Sequence, residues 1–536
     1  MSARGSRRGR AAPRSGRGRS AHPRTARDAV ELLFREELER RRGFPAALEK
    51  EARRASQAAS GASGPRRDLV EMPTFTVDPA TARDFDDAVS ARREGESTRL
   101  WIHIADVAAH VKPGSPLDRE ARRRANSTYA PGTVEPMLPG VLSAGACSLS
   151  AGVERLAVTA EIVLGPGGEV AESSFYRSRI RSDVRLDYDQ LDEIFAGKAE
   201  APAEVAEPLA IARAAAAVLA EAKAGTGLDV ESSEPEFEFD RSGEVVAARS
   251  VPQTESHRLI ERLMILTNEA VARLLEKRRV PAVYRIHPQP DPDRVERLVA
   301  QLHELEVPTP ALRAGISSRE AAAVVVEASR LVRKEAARRG HGRDAYTSLV
   351  LRSLQQAQYS DRNSGHAGLG SSAYCHFTSP IRRYADLLVH RALLATLGEG
   401  EKAPRASEAR DVAALCSERE RDSMKIERRA DDICAAFLLQ RELGQGKGRR
   451  EPVFEGEVSG TIRSGAFVSF GGKLGDVYEG FLPARRVPDD FFELNETETA
   501  LVGRRTGRAF RLGDPISVRV GGVEAPRGRV DLEPAA

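Results

Sequence analysis

The segment Thr76–Val89 places four aspartates within ten residues and interleaves them with apolar positions that should be buried. Carboxylates that are packed together repel, and each of them prefers water, so a fold can gather them only if cations neutralise their charge. Mg²⁺ is the expected ion, because it binds a few carboxylates, keeps several waters and takes phosphate oxygens as its remaining ligands. The four aspartates are Asp78, Asp84, Asp86 and Asp87.

Two other interpretations of this acidic segment can be compared with a metal site. A solvated acidic turn is supported about as well by the pattern alone. An EF-hand calcium loop requires Gly at its sixth position and Glu at its twelfth. The sixth residue counted from Asp84 is Val89, and the required Glu is missing, so the pattern disfavours an EF-hand. The metal site and the acidic turn both remain open at this point.

A second polar segment lies far along the chain and predicts a helix start that faces an anion. Ser379 is a good N-cap and Pro380 suits the first helical position, so a helix should begin there. Arg382 and Arg383 would then occupy the first turn, where cations are unfavourable unless an anion is bound. Asp386 falls one turn later and could brace one guanidinium, and an ordinary exposed salt bridge is the alternative.

These segments resemble the metal-binding and arginine motifs of the ribonuclease II and ribonuclease R family, the RNB exoribonucleases. The resemblance covers about residues 67–440, and several motifs are long enough to make chance a negligible explanation. It implies an α+β fold, in which a mixed sheet with surrounding helices forms the RNB catalytic domain. The matching motifs are Thr76–Val89, Ile104–Ala108, Pro116–Arg122, Pro136–Pro139, Cys147–Leu149, Glu269–Pro288 and His376–Arg391.

The resemblance implies processive hydrolysis of single-stranded RNA from its 3′ end, with release of nucleoside 5′-monophosphates. Two Mg²⁺ ions are the expected cofactors, and Mn²⁺ is the expected substitute. Such ions would clamp the scissile phosphate, one generating a hydroxide and the other stabilising the leaving 3′ oxygen. No protein nucleophile is then required, which agrees with a sequence that has no Gly-x-Ser-x-Gly elbow.

The resemblance also implies roles for individual residues. It assigns metal binding to all four aspartates and connects Asp87 most closely with the chemical step. Arg382 is expected to hold the scissile phosphate and offset its developing charge, with Arg383 beside it as an RNA contact. Glu427 aligns with a catalytic-site glutamate near the RNA 3′ end, although the surrounding helix is generically charged.

Aromatic residues are the other expected RNA contacts. Tyr188 matches the family's aromatic residue that stacks on the terminal bases, and a π face suits an enzyme that must accept every base. Tyr284 is either close to the bound strand or an ordinary core aromatic, and the sequence supports both about equally.

Residues 451–533 predict a small β-barrel, because short alternating strands are separated by glycines. This segment resembles an S1 RNA-binding domain, which is an OB fold. The resemblance makes three aromatics candidates for a base-stacking face, with two cations nearby for phosphates, although burial in the barrel core is nearly as well supported for each aromatic. These residues are Phe454, Phe467, Tyr478, Arg463 and Lys473.

Composition agrees with this organisation. A chain of 536 residues with 41% hydrophobic content suits two or three domains with ample cores. The net charge of +3 conceals an arm, residues 1–27, that contains nine arginines and no acidic residue. We expect this arm to be disordered and to contact RNA phosphates, with a solubilising tail as the alternative. The predicted order is then a helical lead-in (28–66), the RNB catalytic domain (67–443), a flexible basic linker (444–450) and the S1 domain (451–533).

The cysteines and the hydropathy pattern predict a cytoplasmic protein without a membrane partner. The four cysteines form no Cys-x-x-Cys pair, which is typical of reduced thiols. No segment has the roughly 18 consecutive apolar residues that a membrane span requires, and the arginine-rich arm has no apolar run typical of a secretory signal. A monomeric state, and an RNA helicase or the ribosome as a further partner, are expectations that the sequence leaves open.

The sequence departs from the family pattern in two places. Bacterial members usually carry two cold-shock domains before the catalytic body, and many ribonuclease R enzymes carry a long lysine-rich C-terminal tail; neither is expected here. The ribonuclease II or R subtype and the ability to unwind structured RNA therefore stay open. An RNA-binding protein on an inactive nuclease scaffold is the main alternative function, and a deoxyribonuclease or a structural phosphate-binding protein is a third.

Overall fold

The structure is a computed structural model that describes residues 23–38, 42–60, 65–228, 233–313, 315–445, 452–472, 475–488 and 490–535. Most of the predicted arginine-rich arm, residues 1–22, lies outside the described residues. The same holds for residues 446–450 of the predicted linker and for Lys473. Every other predicted site residue lies within the described ranges.

Helices and strands are mixed along the described chain up to residue 445, and strands predominate after it. This arrangement confirms the predicted α+β class. The helices are α1 (Ala26–Glu37), α2 (Ala46–Ser60), α3 (Val107–His110), α4 (Pro116–Arg124), α5 (Tyr188–Phe195), α6 (Ala206–Ala222), α7 (Glu255–Lys277), α8 (Pro292–Glu304), α9 (Ser318–Arg339), α10 (Arg343–Ser353), α11 (Tyr384–Thr396) and α12 (Ala406–Gln445). The strands are β1 (Arg67–Asp68), β2 (Phe75–Asp78), β3 (Asp87–Glu94), β4 (Ser97–Ala105), β5 (Thr128–Ala130), β6 (Thr133–Glu135), β7 (Glu154–Leu164), β8 (Val170–Arg181), β9 (Val184–Asp187), β10 (Ser233–Phe239), β11 (Val245–Pro252), β12 (Tyr284–Ile286), β13 (Gln358–Ser360), β14 (Val453–Ile462), β15 (Gly465–Gly472), β16 (Gly475–Pro483), β17 (Phe492–Leu494), β18 (Ala500–Gly503), β19 (Ala509–Arg511), β20 (Pro515–Glu524) and β21 (Arg529–Pro534).

A seven-stranded mixed sheet forms the centre of the larger region, with strand order β1-β8-β7-β4-β3-β2-β9. The edge strands β1 and β9 run parallel to their neighbours, and the inner strands pair antiparallel. Strand β4 is buried from Leu100 through Ala105, as its nearly continuous apolar run predicts for a strand covered on both faces. Helix α6 packs on β3 and β4, and α7 packs on α6. The apolar stripe predicted for α7 is part of this core, with Leu259, Leu263 and Val271 buried.

Helix α11 is almost wholly buried, from Tyr384 to Leu394. A helix that is buried all around must pair each of its polar side chains internally. Asp386 accepts two hydrogen bonds from Arg383, and the Arg391 guanidinium forms a 2.8 Å ion pair with Asp118. The helix therefore anchors Arg383, which directly precedes it, through the carboxylate of Asp386.

The C-terminal strands form a closed five-stranded barrel of OB type, with strand order β14-β15-β16-β21-β20. Its interior is filled by alternating apolar residues such as Val468, Phe470 and Leu532, none of which is exposed. The three-stranded sheet β17-β18-β19 is inserted between β16 and β20. Helix α12 packs against the barrel and continues through Gln445, two residues into the segment predicted as a linker. Within the described ranges, every helix is too short or too polar to cross a bilayer.

Candidate active site

The four aspartates lie where β2 ends and β3 begins, on and beside the connection between these two inner strands. Asp78 is the last residue of β2 and Asp87 is the first residue of β3, and these strands pair antiparallel. Asp84 and Asp86 lie on the irregular connection between them. The N–H of Ala105 donates to the carbonyl of Asp86 at 2.9 Å, which attaches the connection to the end of β4. The chain reversal thus brings Asp78 and Asp87 together at the same end of the paired strands.

Phe85 anchors the connection between the carboxylates. Its side chain is buried, and its N–H donates to the hydroxyl of Ser148 at 3.0 Å. That hydroxyl donates in turn to the carbonyl of Arg83, and the N–H of Leu149 donates to the carbonyl of Phe85. The apolar residue between two aspartates therefore fixes the backbone that carries them, as the interleaved pattern predicts.

Asp86 is the most buried carboxylate of the cluster, with 4% of the residue exposed. Its Oδ1 accepts the N–H of Ile381 at 2.8 Å, whereas its Oδ2 is buried and has no hydrogen-bond partner within the described part of the chain. Its nearest cation is the Nε of Arg382, 3.8 Å from Oδ2. Burial raises the pKa of Asp86 well above its ordinary value, and Arg382 and the Ile381 N–H only partly oppose this effect.

Asp78 and Asp87 share the same unfavourable electrostatics. Burial, followed by repulsion from Asp87, raises the pKa of Asp78 to about 8. Burial raises the pKa of Asp87 to about 7, although the charges of Arg382 and Arg383 lower it. The Oδ2 of Asp78 is also buried without a hydrogen-bond partner in the described residues. Without an added cation, the protein alone leaves these carboxyls partly protonated near neutral pH.

Asp84 is connected to Glu427 through a single tyrosine. The hydroxyl of Tyr129, on β5, donates to Asp84 Oδ2 at 3.0 Å, and the N–H of Tyr129 donates to Glu427 Oε1 at 2.9 Å. Helix α12 packs against β5 and brings Glu427 to this position from almost 300 residues away in sequence. Sequence reasoning missed Tyr129, because a lone tyrosine beside a charged helix has no motif of its own.

The oxygens of this cluster fit a hard divalent cation. Within the described ranges, no group of three or more His, Cys, Asp or Glu side chains converges closely enough to hold a metal ion by itself. Mg²⁺ is commonly bound by one or two carboxylates, with waters and substrate phosphates completing its shell, so it does not need such a cage. The two buried oxygens without partners, on Asp78 and Asp86, are the positions that a cation would satisfy.

The predicted helix start at Ser379 is wrong, because helix α11 begins four residues beyond Pro380, at Tyr384. Residues 380–382 form a turn, after which Arg383 is extended and bridges to Asn126. The N–H of Tyr384 donates to the carbonyl of Ala125 at 2.7 Å, so long-range backbone pairing replaces the first helical turn. Two turn N–H groups, which were predicted to face a phosphate, donate instead to carboxylates. These N–H groups belong to Ser379 and Ile381, and their acceptors are Asp386 and Asp86.

The two neighbouring arginines have different roles. Arg383 donates from both Nε and Nη2 to Asp386 at 2.9 and 2.8 Å, which confirms the predicted brace for this arginine. Its guanidinium forms a largely buried ion pair with Asp386, which positions the turn that carries Arg382, and the RNA contact of Arg383 stays a prediction. The Arg382 side chain is 44% exposed, and it donates to the hydroxyl of Ser379 at 3.2 Å. Arg382 is therefore the arginine that is available to an anion beside the carboxylates.

Tyr188 lies next to the carboxylate cluster. It starts helix α5 directly after β9, and the charges of Asp87 and Asp78 add to burial in raising its pKa. Its half-buried ring stacks on the imidazole of His257, with ring centroids 3.9 Å apart and planes within 13°. The nearby Arg185 donates to the carbonyls of residues 79 and 80 and braces the loop that follows Asp78. The structure therefore brings the predicted stacking residue to the acidic cluster.

The remaining predicted aromatics are not on a shared open surface. Tyr284 is 5% exposed and Tyr478 is 2% exposed, so each belongs to a hydrophobic core, the alternative that the sequence left open. Phe454 and Phe467 are half-buried, and their rings pack against Phe470 and Phe481 at centroid distances of 5.3 and 5.2 Å. The exposed Arg463 lies beyond the end of β14. Alternation along a barrel strand predicts two faces, but it does not identify which one is inside.

A known protein family matches the part of the chain that contains the mixed sheet, the aspartate cluster and Arg382. The RNB domain family matches residues 66–399, more than half of the chain, and the protein belongs to this family. The match contains the aspartate connection and helix α11, the two parts that meet at the candidate active site.

Individual relatives are similar to this chain over more of its length than the family match. Ribonuclease R 1 of Lactococcus lactis is 32% identical over 470 residues, which are 86% of this chain and 55% of that protein. The apo form of Mycoplasma genitalium RNase R is 26% identical with a TM-score of 0.86, over 96% of this chain and 78% of that chain. The same enzyme in complex with ribose methylated single-stranded RNA is 25% identical with a TM-score of 0.84 and the same coverage. The chain thus spans little more than half the length of the curated relative.

Proposed function

We propose that this protein is a 3′-to-5′ exoribonuclease that hydrolyses single-stranded RNA processively to nucleoside 5′-monophosphates, with Mg²⁺ as its cofactor. The names of its relatives, ribonucleases R, support an RNA-directed hydrolase. The complex of one relative with a ribose methylated single strand supports single-stranded RNA as the substrate class. Because the chain spans little more than half of the curated relative, the activity, substrate and cofactor are proposals for this chain.

The observation that carries this proposal is the pairing of unsatisfied carboxylate oxygens with an available arginine. Asp78 Oδ2 and Asp86 Oδ2 are buried without hydrogen-bond partners in the described residues, and Arg382 lies beside them with 44% of its side chain exposed. A cation would satisfy the first group and an anion would satisfy the second. A metal ion together with the phosphate of a polynucleotide fits both requirements at once.

Asp78, Asp84, Asp86 and Asp87 are the residues that would hold two Mg²⁺ ions, with Mn²⁺ as a substitute. When bound, Mg²⁺ supplies the Lewis acidity that polarises a phosphate and lowers the pKa of an attacking water. The Ile381 N–H fixes one oxygen of Asp86 and leaves the other directed into the cluster. The neighbouring hydroxyl of Tyr129 fixes Asp84 in the same manner. These contacts hold the oxygens in place before the substrate arrives.

Arg382 binds the scissile phosphate and offsets the negative charge that develops on its oxygens during attack. Tyr188 stacks on a terminal base, and the ring of His257 supports it from behind. Glu427 holds the backbone of Tyr129 and thereby the hydroxyl that positions Asp84. Arg383 and Asp386 keep the turn that carries Arg382 in position.

We also propose that the barrel, residues 451–533, is an S1 RNA-binding domain behind an RNB catalytic domain at 67–443. The arm at residues 1–27 would add affinity by releasing counterions from RNA phosphates. Deleting it should weaken RNA binding and reduce the dependence of affinity on salt concentration. Unchanged affinity and an unchanged salt slope would remove the arm from the proposal.

The decisive experiment follows the fate of each end of one RNA. A single strand labelled at its 5′ end, and the same strand labelled at its 3′ end, are incubated with Mg²⁺ or with EDTA. We expect immediate release of the 3′ label as a mononucleotide, and late release of the 5′ label in the final short product. Chelation should stop both.

Two aspartate variants are matched in this experiment. Asp87→Asn removes a carboxylate of the cluster, whereas Asp68→Asn makes the same change on an edge strand where the side chain is 60% exposed. Only Asp87→Asn should abolish release. Internal cleavage, hydrolysis in EDTA, or full activity of Asp87→Asn would refute the proposal, and RNA binding without any hydrolysis would favour the inactive-scaffold alternative.

A DNA strand of the same sequence completes the experiment. RNA and DNA differ at the 2′-hydroxyl, so an enzyme that contacts this group degrades RNA alone. Equal degradation of both strands would favour the deoxyribonuclease alternative.

A further inference from the structure

An exposed aromatic residue beside the barrel is left unused by the proposed chemistry. Phe491 is 68% exposed, and it is the sole aromatic among the exposed large hydrophobic side chains of the described residues. A single exposed apolar residue is normal on a protein surface and is not a site by itself. Its neighbours therefore decide whether this ring belongs to a binding surface.

Phe491 directly precedes β17 of the small sheet formed by β17, β18 and β19. Its carbonyl accepts the N–H of Arg504 at 3.0 Å, so the two residues face each other across the antiparallel ladder. The next residue, Phe492, points inward and packs on Phe510 with ring centroids 5.2 Å apart. Alternation along the strands thus divides the sheet into a buried aromatic face and an exposed face that carries Phe491 and Arg504.

The exposed face combines an aromatic ring with positive charge. The guanidinium of Arg504 lies 5.4 Å from the centroid of the Phe491 ring and also pairs with Glu493. Arg505 and Arg508 are exposed on the turn that follows. Aromatic rings next to arginines are the combination that binds single-stranded nucleic acid, because the ring stacks on a base and the cations bind phosphates.

Asp490, directly before Phe491, is hydrogen-bonded to the turn that follows β18. The carboxylate of Asp490 accepts the N–H groups of Arg505 and Thr506 at 2.9 and 2.8 Å, and the Thr506 hydroxyl also donates to it. The hydroxyl of Thr506, followed by these backbone groups, holds the pKa of Asp490 well below its usual range. A surface that is ordered before binding loses less entropy when its ligand arrives.

The small sheet is also attached to the larger region of the molecule. Arg297 of α8 forms a 2.7 Å ion pair with Glu498, and the side chain of Gln301 donates to the carbonyl of Thr497 at 2.8 Å. A nucleic acid strand held on this sheet would therefore lie next to helix α8 of the larger region.

We propose that Phe491 and Arg504 form a base-stacking platform for single-stranded RNA on the outer face of this sheet. The inference rests on the proposed function and adds an RNA contact outside the catalytic cluster. It also differs from the predicted contacts on the barrel strands, where Tyr478 is buried and Phe454 and Phe467 are half-buried. A duplex hides its base faces in the stack, so the platform should select unpaired bases.

The platform can be tested by binding in EDTA, where turnover is stopped. Fluorescence anisotropy would measure the affinity of the full chain for a 5′-labelled single-stranded RNA over a range of salt concentrations. Phe491→Ala should weaken binding about tenfold and leave the salt slope unchanged, because stacking is lost without loss of charge. Phe491→Trp should restore the affinity. Arg504→Ala should reduce the salt slope by about 0.7, the value for one phosphate contact on a single strand.

Leu351→Ala provides the matched control, because Leu351 is 47% exposed on α10, away from the small sheet. It should bind RNA like the parent. Parental affinity of Phe491→Ala, or an equal loss in Leu351→Ala or Phe491→Trp, would refute the platform. These results would leave the nuclease proposal intact if the parent still releases mononucleotides with Mg²⁺. A parent chain that neither binds nor degrades RNA would instead refute the proposed function.

Discussion

Two aspartates at neighbouring strand ends of the central sheet have opposite surroundings. Asp106 directly follows β4 and Asp86 directly precedes β3, and these strands are neighbours. Asp106 is 1% exposed and accepts hydrogen bonds from Arg66 at 2.7 Å and from Arg177 at 2.9 Å. Asp86 is 4% exposed, but its Oδ2 has no hydrogen-bond partner in the described chain, and the Nε of Arg382 is 3.8 Å away.

The charge of Asp106 is compensated by neighbouring arginines, whereas the charge of Asp86 is compensated only in part by the described residues. Burial alone would raise the pKa of Asp106, but the charges of Arg177 and Arg66 hold it below its ordinary value. Burial raises the pKa of Asp86, because Arg382 only partly compensates. Folding leaves the charge of one aspartate satisfied and that of the other unsatisfied, so removing them should have opposite consequences.

The largest contrast is expected between Asp87→Asn and Asp106→Asn. Asp87→Asn should lower kcat about a thousandfold or more, equivalent to about 4 kcal/mol in the barrier, because it removes an oxygen that is proposed to bind a metal ion. Its free energy of unfolding should not fall, since the change removes one of several crowded negative charges. Single-turnover RNA hydrolysis and urea unfolding would measure the two quantities.

Asp106→Asn should do the reverse. It leaves two largely buried arginines, Arg66 and Arg177, without their shared counter-charge, so the free energy of unfolding should fall by about 3–5 kcal/mol. The activity of each folded molecule should stay close to that of the parent at temperatures where the variant is folded. An Asp106→Asn variant that is inactive but as stable as the parent would contradict the claim that Asp106 supports the fold and not the activity.

The adjacent arginines repeat the comparison on a smaller scale. Arg382→Lys should lower kcat about a hundredfold with little change in stability, because lysine cannot hold a phosphate in two directions. Arg383→Lys should lower the free energy of unfolding by about 1–3 kcal/mol, because it breaks the two-point contact with buried Asp386. Equal effects of the two variants on both quantities would show that the two arginines share one role.

The pH dependence of stability is expected to expose the unsatisfied carboxyls. The folded-state pKa values of Asp78 and Asp87, about 8 and about 7, lie above the ordinary value near 4. These two carboxyls therefore make their full contribution to the free energy of unfolding below about pH 4, where they are protonated in both states. That contribution is lost as the pH rises towards 8. In EDTA, the free energy of unfolding of Asp78→Asn relative to that of the parent should increase by about 1–3 kcal/mol from pH 5 to pH 8.

Denaturant unfolding at both pH values, with and without Mg²⁺, would measure this gain. Mg²⁺ should reduce the difference at pH 8, because it stabilises the charged carboxylates of the parent. A parent and variant with parallel pH profiles in EDTA would contradict the raised pKa values.

The smallest expected effect concerns the aromatic contacts. Tyr188→Ala should weaken single-stranded RNA binding about tenfold and change the length of the final product, because a base loses its stacking partner. Tyr188→Phe should keep both properties, since the ring remains. Tyr284→Phe serves as a control in the core and should leave RNA binding unchanged. Denaturing gels of the limit products would show whether the tyrosine ring matters.

Residues that are close together in the sequence were sufficient to predict the acidic connection and the carboxylate that braces an arginine. The interleaved aspartates and Phe85 predict an anchored acidic connection, and the spacing of the two arginines from Asp386 predicts that Asp386 braces one guanidinium, which is that of Arg383. Each of these predictions depends on residues that are close together in the chain. The apolar run of β4 predicts a strand covered on both faces for the same reason.

Contacts between distant segments explain what the sequence did not predict. The helix expected at Ser379 is displaced because Tyr384 pairs with the backbone of Ala125, far away in sequence. Asp84 is held by Tyr129 across 45 positions, and no spacing rule connects them. Tyr478 is buried because the barrel closes around one face of its strand, and the alternating pattern alone does not distinguish that face.

Direct metal binding tests the central claim, that the aspartate cluster is built to be completed by divalent cations. Electron paramagnetic resonance can count the Mn²⁺ ions that the parent, Asp87→Asn and Asp106→Asn bind, and Mg²⁺ can be titrated as a competitor. We expect Mn²⁺ to bind the parent and Asp106→Asn, to be displaced by Mg²⁺, and to bind Asp87→Asn at least about tenfold more weakly. A parent that hydrolyses RNA without binding Mn²⁺, or an Asp87→Asn variant with parental Mn²⁺ affinity, would contradict the claim.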